Sequence, residues 1–367
     1  MKGTLNYTKK KQFYLINKKK FKSFIILIHL IYIIGNIKIT KKFRKIGVIG
    51  LNHSQNVGNN LLKYAMYIKL SEFGFKPCII GKQNKNSNIS FILNTVNARL
   101  ITKSFDEINE NDYDILMVNS DQTWRKDNEY INVGFLNFAK NWNKPKFVYG
   151  ASLGVDYWQY TKSEDNILKS LIKNFTGISI REIGSIKYIE SHLGIKPILV
   201  LDPTFLIDKK YYLNLIKNFK IENVTDNNFI FIYTLTESNE IKVLKDNINK
   251  KYKYKFYIID INVVNQIQKF LYGIYKSKAV ITDSFHGTVF SIIFNKPFIS
   301  FVYNERGKER FNSLKEIFNI SNRIYNEKTN PDIDLIETPL NINKKIFNHL
   351  KRKSLHFLKN NLFFKLK

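Results

Sequence analysis

A single cysteine stands in 367 residues, and acids are scarce: 30 Asp and Glu against 59 Lys and Arg, for a formal charge of +29. Cys78 alone excludes an intramolecular disulfide and any metal site built on several thiolates, which fits a reducing cytoplasm. Its setting, Pro-Cys-Ile-Ile-Gly, reads as a buried strand with an inert thiol. No Gly/Ser-rich or Pro-rich linker and no repeat of solenoid period interrupts the chain. There is no zinc-finger spacing and no aromatic–basic motif of an RNA-recognition module. Lysines are spread along the whole length with many Asn and Ile, so the charge reads as a compositional bias, and no nucleic-acid partner is expected. An apolar run long enough to span a membrane is also missing. Phe24–Ile34 is apolar except for His29, but a spanning helix needs about 20 such residues. It resembles the h-region of a signal peptide, yet Gly35–Thr40 has no small-residue cleavage site and more lysines follow. We expect residues 1–44 to be an extension that docks on the fold or rests on a membrane surface.

Hydrophobic residues make up 44% of the chain, enough for two α/β domains with their own cores. From Lys45 onward, short apolar runs alternate with longer polar–apolar segments. Ile46–Ile49, Cys78–Ile80, Ile115–Val118, Phe147–Tyr149, Ile178–Ile180 and Ile198–Leu201 read as one series of strands. Phe229–Tyr233, Phe256–Ile259, Ala279–Thr282 and Phe298–Val302 read as a second. Asn60–Phe73 has a helical apolar face, and Asp208 to about Lys220 reads as a polar, lysine-rich helix. Strands alternating with helices predict parallel sheets covered on both faces. Asp202-Pro203 closes the first series, which places domains at 45–205 and 206–330 with a ligand cleft between them. Residues 331–367 form a basic amphipathic tail, read either as a helix packed on the fold or as one lying on an anionic bilayer.

Polar residues crowd the strand-to-helix junctions. Asp283, Ser284, His286 and Gly287 lie between Ala279–Thr282 and an apolar stretch, Val289–Phe294, of helix type. A helix N-terminus there offers free N–H groups and partial positive charge to an anion, and His286 is placed to act as an acid–base group beside it. Asn56, Gly58, Asn59 and Asn60 are turn and capping residues, without a GxGxxG fingerprint or Walker lysine. Ser120, Asp121 and Gln122 crowd another strand end, and Gly150-Ala-Ser-Leu-Gly154 allows close approach. Arg181 presents a planar fork to a carboxylate or phosphate, or else forms a salt bridge with Glu182 or a neighbour. Asp332-Ile-Asp334 follows Pro331 in a polar loop and reads as a turn.

In order, six pieces resemble the polysaccharide pyruvyl transferase family. They are Asn-Val-Gly-Asn (56–59), Ser-Asp-Gln-Thr-Trp (120–124), Tyr-Gly-Ala-Ser-Leu-Gly (149–154), Ile-Ser-Ile-Arg-Glu (178–182), Leu-Asp-Pro-Thr (201–204) and Thr-Asp-Ser-Phe-His-Gly-Thr (282–288). They cover about residues 45–325; Asn119 departs from the family's usual glycine. The resemblance implies two Rossmann-like domains in a glycosyltransferase-B-like arrangement. It also implies transfer of a pyruvyl group from phosphoenolpyruvate to a sugar of a surface polysaccharide or its lipid-linked precursor, giving a ketal and phosphate. On that reading His286 is the general acid that protonates the donor's methylene carbon. Asp283 orients the imidazole or caps the helix, and Asp121 assists a sugar hydroxyl or is buried and hydrogen-bonded. Arg181, Ser284, Gly287, Lys296, Arg306 and Arg310 bind the donor; Asn56, Gly58, Asn59, Ser120 and Gln122 bind the acceptor. Lysines and arginines neutralise the donor, so no metal or other cofactor is expected. The enzyme is expected in the cytoplasm, peripheral on the inner face of the membrane. The rival readings are a nucleotide-sugar glycosyltransferase of related architecture and a non-catalytic membrane-surface scaffold.

Overall fold

The computed structural model describes residues 44–51, 56–80, 88–96, 99–101, 103–126, 130–221, 227–236, 238–259, 266–303 and 307–363. The Phe24–Ile34 segment, Arg306 and the last four residues of the tail lie outside them. The first series of runs forms strands β1 (Arg44–Ile49), β2 (Phe75–Ile80), β3 (Arg99–Ile101), β4 (Ile115–Val118), β5 (Lys146–Ala151), β6 (Gly177–Ile180) and β7 (Ile198–Leu199). They pair in parallel in the order β3-β2-β1-β4-β5-β6-β7. Helices α1 (Val57–Glu72), α2 (Asn88–Val96), α3 (Tyr130–Val133), α4 (Lys162–Ile172) and α5 (Ser185–Leu193) occur in the connections. The central strands β4 and β5 are buried along their whole length, which is why their sequences read as continuous apolar runs.

After α6 (Lys209–Leu215), a second parallel sheet forms from β8 (Phe229–Tyr233), β9 (Lys255–Ile258), β10 (Ala279–Thr282), β11 (Phe298–Val302) and β12 (Ile324–Asn326). Its order is β12-β11-β10-β8-β9. Helices α7 (Asn239–Tyr252), α8 (Gln266–Lys276), α9 (Phe285–Ile293) and α10 (Lys308–Phe318) accompany it. The strand order of each sheet reverses once, at β1/β4 and at β8/β10. The crevice outside the carboxyl ends of strands at such a switch point is where open α/β sheets hold ligands.

The two sheets share one apolar core. Val57, Leu61 and Tyr64 of α1 belong to the same buried cluster as Tyr212, Phe270, Val289 and Phe290. The Tyr212 ring stands edge-on to Phe290 with centroids 4.8 Å apart, and lies 6.0 Å from that of Tyr64. The final helix, α11 (Lys344–Leu362), returns to the first sheet. Its Leu350, Phe357, Leu358 and Leu362 are buried, Phe357 lies against Phe147 and Tyr149, and its Ser354 hydroxyl accepts the Leu201 N–H. Burying side chains of this size stabilises by about 1.5–3 kcal/mol each. Those four side chains are therefore already inside the protein and not available for membrane insertion, whereas Ile346 of the same helix is exposed. Asp332 caps a short 3₁₀ turn through the Asp334 N–H, and Asp334 pairs with Lys251 and Tyr252. Cys78 is buried in β2.

Candidate functional site

Two helix N-termini meet where the switch points face each other. Asn56 caps α1 by accepting the Asn59 N–H at 3.1 Å, and Ser284 caps α9 by accepting the Gly287 N–H at 3.3 Å. The Ser284 cap starts α9 four residues before the apolar stretch that marks it in the sequence, so His286 lies inside the first turn. Gly287 lets that turn sit on its own strand, since a Cβ there would fall 2.2 Å from Thr282 Oγ1. Gly58 does the same across the two halves: a Cβ at 58 would fall 2.1 Å from His286 Nδ1. His286 is therefore held between the positive ends of two helices. It is 6% exposed, and its Nε2 is buried with no hydrogen-bond partner among the described residues. The nearest carboxylate oxygen, Asp202 Oδ2, lies 3.8 Å away, a charge contact longer than a hydrogen bond.

Around the histidine lies a buried ion network. Arg181, at the end of β6, donates from Nη1 to Asp202 at 2.5 Å and from Nη2 to Asp121 at 2.9 Å. Asp121 also accepts from Asn59 Nδ2 at 2.7 Å and from the Gln122 N–H at 2.9 Å. Burial raises the Asp121 carboxyl, but Arg181, Arg310 and His286 outweigh it and bring it below its ordinary range. Burial likewise raises Asp202, and His286, Arg181 and the Thr204 hydroxyl hold it far below. The guanidinium carbons of Arg181 and Arg310 lie 5.1 and 5.0 Å from the Phe285 ring centroid. Burial and the charge of Arg181 push Arg310 down to about 10. Asp121 has φ of 118°, a left-handed value that costs a non-glycine residue about 1–3 kcal/mol and is characteristic of functional sites.

Several sequence assignments change. The Arg181 fork engages two protein carboxylates, Asp121 and Asp202, and not Glu182. Glu182 instead binds Ser152, Ser185 and the Leu153 N–H. Lys296 is not in the site. It follows the far end of α9, at the amino edge of the second sheet, where its ammonium donates to the Ser277 carbonyl at 2.7 Å. Asp283 does not cap α9; it accepts from the N–H groups of Leu235 and Thr236 and so clamps the loop after β8. Ser120 donates to the Gly150 carbonyl at 2.6 Å, beneath the site. A carboxylate stabilised as Asp121 is makes a weak base, so its place is to hold Arg181 and Asn59. Gln122 stays at the site: a Cβ on Gly307 would fall 2.8 Å from its Nε2 and 2.6 Å from Arg310 Nε. Arg306 lies outside the described residues.

Sequence reasoning passed over Asp202, Phe285 and Lys63. Asp202 sat in view within Leu-Asp-Pro-Thr but read only as a strand stop. Lys63 is buried in α1, where its ammonium donates to the Leu51 carbonyl at 3.1 Å. Burial pushes it down to about 8 against the pull of Asp121. Its signal was a lysine amid the apolar Leu-Leu-Lys-Tyr-Ala-Met of one helix.

Gly58→Ala isolates the histidine's seat. Alanine is a better helix former by about 1 kcal/mol, yet its Cβ would also lie 2.6 Å from His286 Cβ, so the imidazole must move. We expect turnover to fall at least about tenfold, as for small misplacements of a reacting group, with α1 remaining folded. Unchanged turnover with an unchanged thermal midpoint would show that the position of His286 is immaterial.

Fold and site define a two-domain α/β protein of glycosyltransferase-B-like arrangement, with a buried His–Asp–Arg cluster between two Rossmann-like domains. Solved structures share that fold. The S. aureus MnaA–UDP complex superposes with a TM-score of 0.54 at 14% identity, covering 88% of this chain and 97% of that one. The UDP-GlcNAc 2-epimerase from Neisseria meningitidis bound to UDP-GlcNAc gives 0.53 at 14% identity, covering 88% and 100%. No curated protein sequence matches the chain. The polysaccharide pyruvyl transferase model matches residues 56–305, and the chain belongs to that family. It is a transferase acting on polysaccharide. Among the described residues no helix is long and apolar enough to cross a membrane.

Proposed function

We propose that the protein transfers a pyruvyl group from phosphoenolpyruvate to two hydroxyls of a sugar, on a surface polysaccharide or its lipid-linked precursor, at the cytoplasmic face of the membrane. The observation that carries this reading is His286: a buried imidazole whose Nε2, 3.8 Å from Asp202, has no hydrogen-bond partner among the described residues. It is seated between two helix N-termini and next to Phe285, over whose ring Arg181 and Arg310 lie. The helix ends and Arg310 suit the donor's phosphate and carboxylate. Proton delivery from His286 to the methylene carbon makes that carbon a methyl group and the central carbon electrophilic. One sugar hydroxyl then bonds to the central carbon, its proton returning to the imidazole. The second displaces phosphate, which leaves with the oxygen of the broken C–O bond and takes up that hydroxyl's proton, and the ketal closes. Asp202 Oδ2 faces the imidazole Nε2 from 3.8 Å, beyond a hydrogen bond's reach, and marks the edge of the donor's seat.

The test offers the purified protein phosphoenolpyruvate or nucleotide-sugars, each with candidate lipid-linked glycans. Phosphate release dependent on glycan, with a new ketal methyl signal on the sugar, is the expected result. Nucleotide release from a nucleotide-sugar with phosphoenolpyruvate left intact would overturn the reading in favour of a glycosyltransferase.

A further inference from the structure

A groove of about 1230 Å³ lies between α4, the amino ends of β6 and β7, and the last turns of α11. It is at the opposite end of β6 from Arg181, and so is separate from the His286 cluster. Its floor is apolar, with Ile178, Ile195, Ile198 and Phe357, and Ile198 on edge strand β7 is 38% exposed. Its rim is basic: Lys169 from α4 and Lys173 just past its end, Lys196 before β7, and Lys353 and Lys359 from α11, all exposed. No aspartate or glutamate lines it among the described residues. Lys196 reaches Glu190 at 3.8 Å, but so exposed a pair is weak.

This combination selects a partner. A purely polar polyanion would pair with the lysines and leave the isoleucine floor against water. An apolar segment would cover the floor and leave the lysines without counter-charge. An anionic amphiphile satisfies both. Leu350, Phe357, Leu358 and Leu362 of α11 face inward, and the exposed Ile346 at its start is not part of the groove, so the surface that its last turns offer here is this rim of lysines.

We propose that the groove docks the protein on an anionic phospholipid bilayer, with a headgroup phosphate among the lysines and the upper acyl chain along the isoleucine floor. The assignment does not depend on which donor reacts at His286.

The full chain is sedimented with phosphatidylcholine vesicles, with and without phosphatidylglycerol. Binding is expected only with phosphatidylglycerol, and an excess of soluble glycerol phosphate should not compete. The triple variant Lys173→Glu, Lys353→Glu, Lys359→Glu should weaken vesicle affinity at least about tenfold, since each lysine near the surface contributes measurably. The same three positions changed to Gln should fall between. Lys242→Glu, Lys245→Glu, Lys250→Glu on α7 changes net charge equally and should cost less than about twofold. Phosphate release on a soluble acceptor should stay unchanged in all of them. Equal weakening by both Glu triples would attribute binding to diffuse charge and overturn the groove. Binding to phosphatidylcholine alone, competition by glycerol phosphate, or no binding to either vesicle would overturn it as well.

Discussion

His286→Gln should abolish phosphate release from phosphoenolpyruvate, with a drop of about 10²–10⁴-fold, the usual yield of a positioned general acid. Glutamine approximates the reach of the imidazole but has no proton to deliver to carbon. The fold should survive, because α9 is capped by Ser284 and the lost Nε2 has no hydrogen bond to forfeit among the described residues. His286→Ala should be as inactive. Circular dichroism and a melting curve close to wild type, beside absent turnover, are the expected pair of readings. Near-normal phosphate release from either variant would remove His286 from the chemistry.

Arg181→Met should act first on stability. The guanidinium neutralises Asp121 and Asp202 at once, with its own side chain 2% exposed. Removing one partner from a buried ion pair leaves uncompensated charge and costs about 3–5 kcal/mol. Arg181→Lys keeps the charge but one ammonium cannot span both carboxylates, so a loss of about 1–3 kcal/mol is expected. The same network sets a pH dependence. Both carboxyls have folded pKa values below their unfolded ones. Their contribution is therefore fully present above the unfolded value of about 4 and is lost as pH falls through the lower folded values. Denaturant midpoints measured from pH 7 downward should fall steeply below about pH 4 in the wild type and more gently in Arg181→Met. A Met variant as stable as the wild type, with the same acid profile, would show that the network does not stabilise the carboxyl edge of the first sheet.

Much of this was legible in the chain. Ten of the strands follow from apolar, β-branched runs; the central ones are buried on both faces and need little but such side chains, and the edge strands β7 and β9 keep the apolar pattern though partly exposed. β3 and β12 escaped: Arg99–Ile101 and Ile324–Asn326 are three-residue strands at sheet edges, too short to show a period. The start of α9 precedes its continuous apolar run because His286, Gly287 and Thr288 interrupt the pattern after Phe285, and the Ser284 cap marks it. At the candidate site, His286, Asp121, Arg181, Asn59 and Gly58 were picked from junction positions, and the fold brings all five together. Lys296 was picked by charge and proximity in sequence, yet the length of α9 carries it to the other edge of the sheet.

What sequence alone determined was which residues reach strand ends: turn chemistry and apolar periodicity are local, and a junction is a local event. The family likewise lies in the order of those junctions. What each polar side chain does there was decided by tertiary structure, because partners come from segments far apart in the chain. Asp121 and Asp202 meet on one arginine only when β4, β6 and the turn after β7 share an edge. Gly58 matters only because His286, more than two hundred residues later, lies against it. The tail shows the same division. Its basic amphipathic pattern is compatible with a bilayer or a core, since both reward an apolar stripe, and the open face of the first sheet took Phe357 and Leu358 inside.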